Sequence, residues 1–290
     1  MPNEGRMQGL SKFAIDTIRD PLRARRHLHD YRFRRERDLI RDLQIFAPGS
    51  AGHARDLARL TIQSATQTFP FMTKVIEAAG CRLATPVSAQ EFCNRLRGEE
   101  RARELGALLD KYGSDKVRQE YHLVYGAILA ERGGSAPFAE VGIGTNNEDV
   151  PSNMGRAGKP GASLRAFRDF LPEAHVIGAD IDKRILFTEN RIDTVWVDQT
   201  DLNSFAELGK RARGFRLLID DGLHSPNANL AVLQFGLLHL EPGSWVIIED
   251  IVPAVLPLWQ VVAATVPPQF DCHLIRTRTA LMFGVTRATA

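Results

Sequence analysis

The second half of the chain alternates short apolar runs with longer stretches of helical character. The apolar runs end in or directly beside glycine or an acidic residue, and they fall at residues 137–144, 175–181, 194–198, 216–221 and 244–250. Stretches with the composition of helices lie between them, at about 162–171, 202–213 and 226–240. Strands that alternate with helices at this spacing predict βαβ units and a parallel sheet.

The last two apolar runs, residues 272–277 and 280–286, are separated by too few residues to hold a crossover helix. Parallel neighbours need a dozen or more connecting residues, so this pair must be antiparallel. The sequence therefore predicts an α/β fold with a Rossmann-like parallel sheet that ends in an antiparallel hairpin.

The first hundred residues lack this alternation and have the composition of helices. Residues 19–42 contain nine Arg and five acidic residues with apolar positions between them. This pattern predicts a basic amphipathic helix, and a salt-bridged surface or a subunit contact suits it better than a nucleic-acid or membrane surface. Further helices are predicted at 54–68 and 88–110. We expect a helical N-terminal region over residues 1–100 and a Rossmann-like domain over 101–290.

Composition and charge narrow the class of protein. The chain has 290 residues, of which 44% are hydrophobic and 25% charged, and its net charge is +2. It has no apolar run typical of a secretory signal or of a membrane helix of about 18 residues. Its three cysteines match no zinc or redox spacing. We therefore expect a soluble cytoplasmic protein without a nucleic-acid or membrane partner.

A glycine motif closes the first strand of the predicted sheet. Glu140 is followed by Gly142 and Gly144, and such glycines let the backbone turn sharply and approach a ligand closely. A third glycine is absent at the usual distance. A polar loop over 145–160 stands there instead, and it is either a solvated insertion or a lid. The next helix opens around Ser163, so we expect these residues to bind a nucleotide cofactor.

Acidic residues follow the next two strands. The second strand ends at Asp180 and Asp182, where a carboxylate can accept hydrogen bonds from ribose hydroxyls, and Asp180 is the better placed. The third strand is followed by Asp198 and Gln199. Asp198 could face the adenine edge of a nucleotide, or the cluster could cap the next helix.

The residues with the clearest chemistry follow the fourth and fifth strands. One strand ends in Asp220 and Asp221, with His224 close behind, and the other ends in Glu249 and Asp250. Neighbouring strands lie about 4.8 Å apart, and ligands bind at the carboxyl edge of such a sheet. Carboxylates this close repel one another unless a cation compensates them, and Mg²⁺ prefers oxygen ligands. Each acidic pair alone could instead be a helix cap or a solvated turn.

Together these motifs resemble a known family of enzymes. Residues from about 105 to 286 resemble the metal-dependent sugar O-methyltransferases of natural-product pathways, such as the mycinamicin and novobiocin enzymes, and the related cephalosporin-hydroxylase-like group. A parallel sheet that ends in an antiparallel hairpin is the arrangement expected of class I methyltransferases. The matching segments, in order, are 111–116, 139–145, 161–182, 197–201, 219–224 and 247–251.

The resemblance implies roles for the residues at the strand ends. The methyl donor would be S-adenosylmethionine, and Mg²⁺ would be held by Asp221, Glu249 and Asp250. Asp220 would lie beside the methionine portion of the cofactor. His224 would be the general base, for which the ordinary histidine pKa near 6.5 is suitable.

The expected acceptor is a hydroxyl of a sugar or of a glycosylated small molecule. Two alternatives stay open, namely a methyltransferase for another hydroxylated substrate and a non-catalytic scaffold with the same fold. A nicotinamide-dependent oxidoreductase fits less well, because the terminal hairpin is present and the third glycine is missing. The N-terminal helices would suit a homo-oligomer contact.

Overall fold

The computed structural model of the protein describes residues 54–130 and 135–288. These residues belong to two compact units that divide after Met72. The first described helix, α1 (Ala54–Ala78), is longer than predicted and contains Pro70. The amphipathic helix predicted at 19–42 lies outside the described residues.

A sheet forms the centre of the second unit. Its described strands are β1 (Val87–Ser88), β2 (Phe138–Val141), β3 (Val176–Asp180), β4 (Thr188–Glu189), β5 (Ile192–Trp196), β6 (Leu217–Asp220), β7 (Trp245–Ile251), β8 (Phe270–Arg276) and β9 (Leu281–Arg287). Their order across the sheet is β1-β8-β9-β7-β6-β2-β3-β5-β4. Strands β5, β3, β2, β6 and β7 are parallel, and β9 is antiparallel to both β7 and β8. The predicted parallel sheet with a terminal antiparallel hairpin is confirmed.

Helices cover both faces of this sheet. The described ones after α1 are α2 (Ala89–Arg95), α3 (Glu99–Tyr112), α4 (Tyr121–Ile128), α5 (Ala162–Phe170), α6 (Ala206–Arg211), α7 (Pro226–His239) and α8 (Leu256–Thr265). Helices α2 to α5 bury apolar side chains such as Leu105 and Phe167 against one face. Helices α6 to α8 bury Leu208, Val232 and Trp259 against the other. The result is a three-layer α/β sandwich.

Several elements before the sheet differ from the sequence prediction. The helix predicted at 88–110 is two helices, because the chain turns between them at Gly98. A Cβ at Gly98 would lie 2.3 Å from the Cα of Ala127 in α4, so the turn packs against that helix without room for a side chain. The domain boundary near residue 100 stays a prediction. Strand β1, which precedes residue 100, already pairs with β8 of the sheet.

The described part of the chain contains no helix with the length and apolar character that crossing a membrane requires. The cytoplasmic location, the absence of a nucleic-acid partner and the homo-oligomer stay predictions.

The strand register brings the predicted site residues to one edge of the sheet. Val141 at the end of β2 lies opposite Asp220 at the end of β6, and Asp220 lies opposite Ile248 in β7. The pairing of β7 with β9 is irregular between Ile248 and Ile251. Glu249 and Asp250 therefore lie in the irregular part of β7, just beyond the level where β2 and β6 end.

Candidate active site

A cavity of about 240 Å³ lies at the carboxyl ends of β2, β3, β5 and β6. Its wall includes five of the predicted cofactor residues, which are Gly142, Gly144, Asp180, Asp198 and Gln199. The rest of the wall is formed by Val141, Thr145, Val150, Pro151, Ser152, Ile181, Val197, Thr200, Asp221, Gly222 and Leu223. The structure thus brings the ends of four strands and part of the 145–160 loop around one space.

Two glycines in the wall of this cavity are closely packed against neighbouring residues. Gly142 has a φ of +88°, and a Cβ there would lie 2.1 Å from the carbonyl oxygen of Asp221. A Cβ at Gly222 would lie 1.9 Å from Oε1 of Gln199. Position 142 therefore requires glycine for its conformation and for its contact with the backbone, whereas a side chain at position 222 would have to displace the Gln199 amide.

Asp180 faces the cavity and also holds the turn after β2. Its Oδ2 accepts a hydrogen bond from the Ile143 backbone N–H (3.0 Å), and its Oδ1 accepts one from that of Asp182 (2.9 Å). Burial raises the pKa of this carboxyl, and the backbone donors oppose that rise. Each carboxylate oxygen keeps acceptor capacity that a ribose hydroxyl could use.

Three other predicted cofactor residues lie behind the cavity wall. Ser163 donates a hydrogen bond to Oε2 of the fully buried Glu140 at 2.6 Å. Asp220, also fully buried, accepts from Gln199 Nε2 at 2.7 Å and from Asn229 Nδ2 at 2.8 Å. Burial raises the pKa of both acidic groups. Asp220 supports Gln199 in the wall, whereas Ser163 bonds to Glu140. Direct contact of the three residues with a cofactor stays a prediction.

Asp182 does not line the cavity but anchors the start of the 145–160 loop. Its Oδ2 accepts hydrogen bonds from Thr145 Oγ1 (2.7 Å) and Asn147 Nδ2 (2.6 Å). Its Oδ1 accepts from Arg184 Nε at 2.7 Å. The bond from Arg184, followed by those from the loop, holds the pKa of Asp182 far below its ordinary value.

The middle of the loop closes one side of the cavity. Val150, Pro151 and Ser152 belong to the wall, and Ser152 donates a hydrogen bond to the carbonyl of Leu223 at 3.1 Å. The loop therefore joins the end of β2 to the segment just before His224. Whether it opens as a lid stays a prediction.

Asp221, His224 and Asp250 form an outer acidic cluster beside the cavity. Nε2 of His224 lies 3.9 Å from Asp221 Oδ1 and 3.9 Å from Asp250 Oδ2. One ligand atom from each residue lies within 4.8 Å of the others. His224 and Asp250 both have left-handed backbones, with φ of +54° and +53°, a strained conformation that is concentrated at functional sites. Nδ1 of His224 is buried and has no hydrogen-bond partner among the described residues.

A buried lysine, Lys116, lies on the inner side of the outer acidic cluster. Nζ of Lys116 lies 2.6 Å from Asp221 Oδ2, 2.8 and 2.6 Å from the two oxygens of Glu249, and 3.2 Å from Glu140 Oε1. Tyr125 also donates to Glu249. Burial lowers the pKa of Lys116, but Asp221, Glu249 and Glu140 raise it by more, so the lysine stays charged. The sequence prediction gave Lys116 no role.

The three predicted metal ligands lie close together, since Asp221 and Glu249 bond to the same lysine, but their free oxygens differ. Asp221 and Asp250 face His224, whereas both oxygens of Glu249 accept hydrogen bonds from Lys116. Two carboxylate oxygens that converge on an open face fit a hard divalent cation such as Mg²⁺. The donor set thus fits the predicted metal, and the role of Glu249 as a third ligand stays a prediction.

Curated proteins with similar sequence are O-methyltransferases by name. They include mycinamicin VI 2''-O-methyltransferase of Micromonospora griseorubida, 35% identical over 98 residues, and demethylmacrocin O-methyltransferase of Streptomyces fradiae, 36% identical over 98 residues. A tetracenomycin-C 2'-O-methyltransferase of Streptomyces olivaceus is 29% identical over 158 residues. These matches cover 33%, 33% and 54% of this chain, but only 24%, 25% and 40% of those proteins. No family model matches the chain.

Solved structures with a similar fold include a methyltransferase as well. A methyltransferase of the mycinamycin pathway, determined with Mg and SAH, has a TM-score of 0.52 and 21% identity over 64% of this chain and 55% of that one. A structure of that enzyme with mycinamycin VI as well has a TM-score of 0.51 and 20% identity, and covers 64% and 53%.

The chain has the class I methyltransferase fold. The resemblance to class I methyltransferases that the motifs indicated is confirmed. In this class I fold the cavity lies where β2 and β3 end, at the glycine motif and Asp180, and the outer acidic cluster lies next to it at the ends of β6 and β7.

Proposed function

We propose that the protein is an S-adenosylmethionine-dependent O-methyltransferase that uses Mg²⁺ and acts on a hydroxyl of a sugar or of a glycosylated small molecule. The observation that carries the proposal is the position of Asp221. This residue lines the cavity, and its side chain faces His224 and belongs to the outer acidic cluster. A methyl donor in the cavity and an acceptor at the cluster would therefore meet at Asp221.

The cavity residues have the chemistry that the methyl donor needs. Asp180 would accept hydrogen bonds from the ribose hydroxyls, and Asp198 would face the adenine edge. Gly142 and Gly144 would let the methionine portion lie close to the backbone. Asp220 would act through Gln199, whose amide it orients from behind the wall.

The outer acidic cluster supplies ligands for the metal. Asp221 and Asp250 would hold Mg²⁺ through the oxygens that face His224. When bound, the ion would lower the pKa of a substrate hydroxyl as a Lewis acid.

His224 would remove the proton from the substrate hydroxyl. Its Nε2 faces the two carboxylates, and its Nδ1 is buried, so Nε2 is the nitrogen that an acceptor could reach. Ser152 donates a hydrogen bond to the carbonyl of Leu223, the residue before His224, and so restrains the backbone there. Most of the remaining rate enhancement would come from holding donor and acceptor in line.

The names of the sequence relatives support the acceptor class. All three relatives are named as O-methyltransferases. The name of the tetracenomycin-C enzyme includes a rhamnosyl group, which is a sugar. Because the matched regions cover less than half of each relative, the substrate of this chain is proposed on chemistry and on this likeness together.

A methyl-transfer assay tests the proposal. The full chain is incubated with S-adenosylmethionine labelled in the methyl group and with paired acceptors, each glycoside beside its deoxy analogue that lacks one hydroxyl. We expect label in the glycosides alone, loss of transfer with EDTA, and recovery when Mg²⁺ is added back. Label in catechols alone would favour the non-sugar alternative, and cofactor binding without any transfer would favour the scaffold.

A further inference from the structure

The segment 222–224, which ends at the proposed base, is held by side chains alone. Among the residues that the structure describes, it takes part in no backbone–backbone hydrogen bond. Instead, the Gly222 N–H donates to Asp220 Oδ1 at 3.3 Å, and the Leu223 N–H donates to Gln199 Oε1 at 2.8 Å. Backbone polar groups need such partners wherever the chain leaves regular structure, so these side chains determine the course of the segment.

Ser152 contacts the peptide group that joins Leu223 to His224. Its Oγ donates a hydrogen bond to the Leu223 carbonyl at 3.1 Å. That carbonyl lies in the same rigid plane as the backbone nitrogen of His224. Rotation about the next bond of the chain gives His224 its φ of +54°. The direction in which the imidazole leaves the backbone therefore depends on how this peptide plane is oriented.

Gln199 is itself held in one orientation. Its Nε2 donates to Oδ1 of the fully buried Asp220 at 2.7 Å, and its Oε1 therefore faces the Leu223 N–H. Asn229 Nδ2 donates to the other oxygen of Asp220 at 2.8 Å. Gln199 and Ser152 both line the cavity. The wall of the cavity thus holds Leu223 at its N–H and at its carbonyl.

We propose that Gln199 and Ser152 are positioning residues that set the place of His224 through the two polar backbone groups of Leu223. The inference rests on the proposed function in taking His224 as the base. Neither contact involves the acceptor or a metal ion. The 145–160 loop then contributes to the rate of methyl transfer through Ser152, besides forming one side of the cavity.

Methyl transfer by Ser152→Ala, with an acceptor that the wild type labels, tests the contact from the loop. Ser225→Ala is the matched control, because it makes the same change directly after His224 and Ser225 Oγ has no hydrogen-bond partner in the described part of the chain. A displaced base slows the chemical step, so we expect kcat to fall about tenfold in Ser152→Ala and to stay at the wild-type value in the control. The Kd for S-adenosylhomocysteine from calorimetry should stay within about twofold of the wild-type value in both variants.

A double-mutant cycle with His224→Gln shows whether Ser152 acts through the imidazole. If it does, removing the hydroxyl has no further effect once the base is gone. We therefore expect Ser152→Ala to change the residual kcat by less than about twofold in the His224→Gln background. A loss of about tenfold in both backgrounds would mean that Ser152 acts independently of His224, and it would overturn the inference. Wild-type kcat in Ser152→Ala would overturn it as well.

Amide hydrogen exchange followed by NMR tests the contact from Gln199 and needs no acceptor. Gln199→Met removes both polar atoms of the amide and keeps the length of the side chain. We expect the Leu223 N–H to exchange at least about tenfold faster in this variant. The Asp221 N–H is the internal control, because it donates to the Val141 carbonyl and should keep its protection. Unchanged exchange at Leu223 would contradict the role of Gln199.

Failure of the inference and failure of the proposed function give different results. A wild-type chain that labels no acceptor contradicts the proposed function, and the role of His224 as the base with it. An active wild type in which the effects of Ser152→Ala and His224→Gln are additive contradicts the inference alone.

Discussion

His224 is the residue on which the proposed chemistry depends most. It lies between the two outer carboxylates, and its backbone has a φ of +54°, which for a residue with a side chain is unfavourable by roughly 1–2 kcal/mol. A strained backbone of this kind is concentrated at functional sites, which agrees with a role for His224 in the reaction.

Replacing His224 with Gln should remove the base and leave the cofactor site intact. General-base catalysis contributes on the order of 100- to 10,000-fold, so we expect kcat for methyl transfer to fall by that factor. Because the His224 side chain does not line the cavity, the Kd for S-adenosylhomocysteine from calorimetry should change little. Unchanged kcat would exclude His224 as the base.

Gly142→Ala should block the cofactor cavity. The new Cβ would lie 2.1 Å from the Asp221 carbonyl oxygen, in addition to the left-handed φ of +88°. Gly214→Ala is the matched control, because Gly214 has a φ of +67° and a Cβ there would meet open space. Calorimetry should show at least about tenfold weaker S-adenosylhomocysteine binding in Gly142→Ala, or about 1.4 kcal/mol. The control should lose only stability, by roughly 1–2 kcal/mol. Equal cofactor affinities in the two variants would contradict the role of Gly142.

Among the elements of the fold, the residues at the strand ends could be predicted from the sequence, but the side chains that contact them could not. Each strand run in the sequence ends in glycine or an acidic residue, and the parallel order places these ends together, as at Gly142 and Asp180. Lys116 is 105 residues from Asp221 and 133 from Glu249 along the chain. Nothing in the local pattern marks a lysine after α3 as buried. Its contacts could therefore be found only from the three-dimensional structure.

The elements that were not predicted from the sequence lack a local sequence signal. Helix α8 (Leu256–Thr265) is apolar almost throughout, so it shows no contrast between a buried and an exposed side. Strand β1 has two residues and carries no periodic pattern at all. The split of 88–110 into α2 and α3 follows from the contact between Gly98 and Ala127, which no local sequence signal reports.

The anchor of the 145–160 loop should make stability depend on pH. Because hydrogen bonds depress the folded pKa of Asp182, its contribution is complete above the unfolded value of about 3.9 and is lost as the pH falls below it. We therefore expect Asp182→Asn to lower Tm at pH 7 and to differ less from the wild type at pH 3.5. Circular dichroism at the two pH values measures this.

Asp149→Asn is the control for that experiment. Asp149 pairs with the same Arg184 but its side chain is 70% exposed, so its replacement should change Tm little at either pH. A constant difference in Tm between the wild type and Asp182→Asn across both pH values would contradict the anchor.

At the scale of the whole molecule, the sheet order joins distant parts of the chain into one binding edge. The five parallel strands place the ends of β3, β2 and β6 side by side, and β7 adds the second acidic pair. A ligand that spans this edge contacts the native state alone. Its binding therefore stabilises the entire second unit.

Thermal unfolding should report that stabilisation. S-adenosylhomocysteine at 100 times its Kd should add about 2.7 kcal/mol, which for a unit of this size raises Tm by roughly 5–10 °C. NAD at the same concentration is the control and should leave Tm unchanged. A shift with NAD and none with S-adenosylhomocysteine would favour the oxidoreductase alternative.

The proposed methyl transfer depends on Asp221, which would join a methyl-donor cavity to a metal-binding acidic cluster. The most direct measurement is a crystal structure of the full chain grown with S-adenosylhomocysteine and Mn²⁺, with the ion located by anomalous scattering. We predict the nucleoside in the cavity beside Asp180 and the ion bound by Asp221 and Asp250, on the side of His224. An ion located elsewhere, or a nucleoside outside this cavity, would contradict the proposed function.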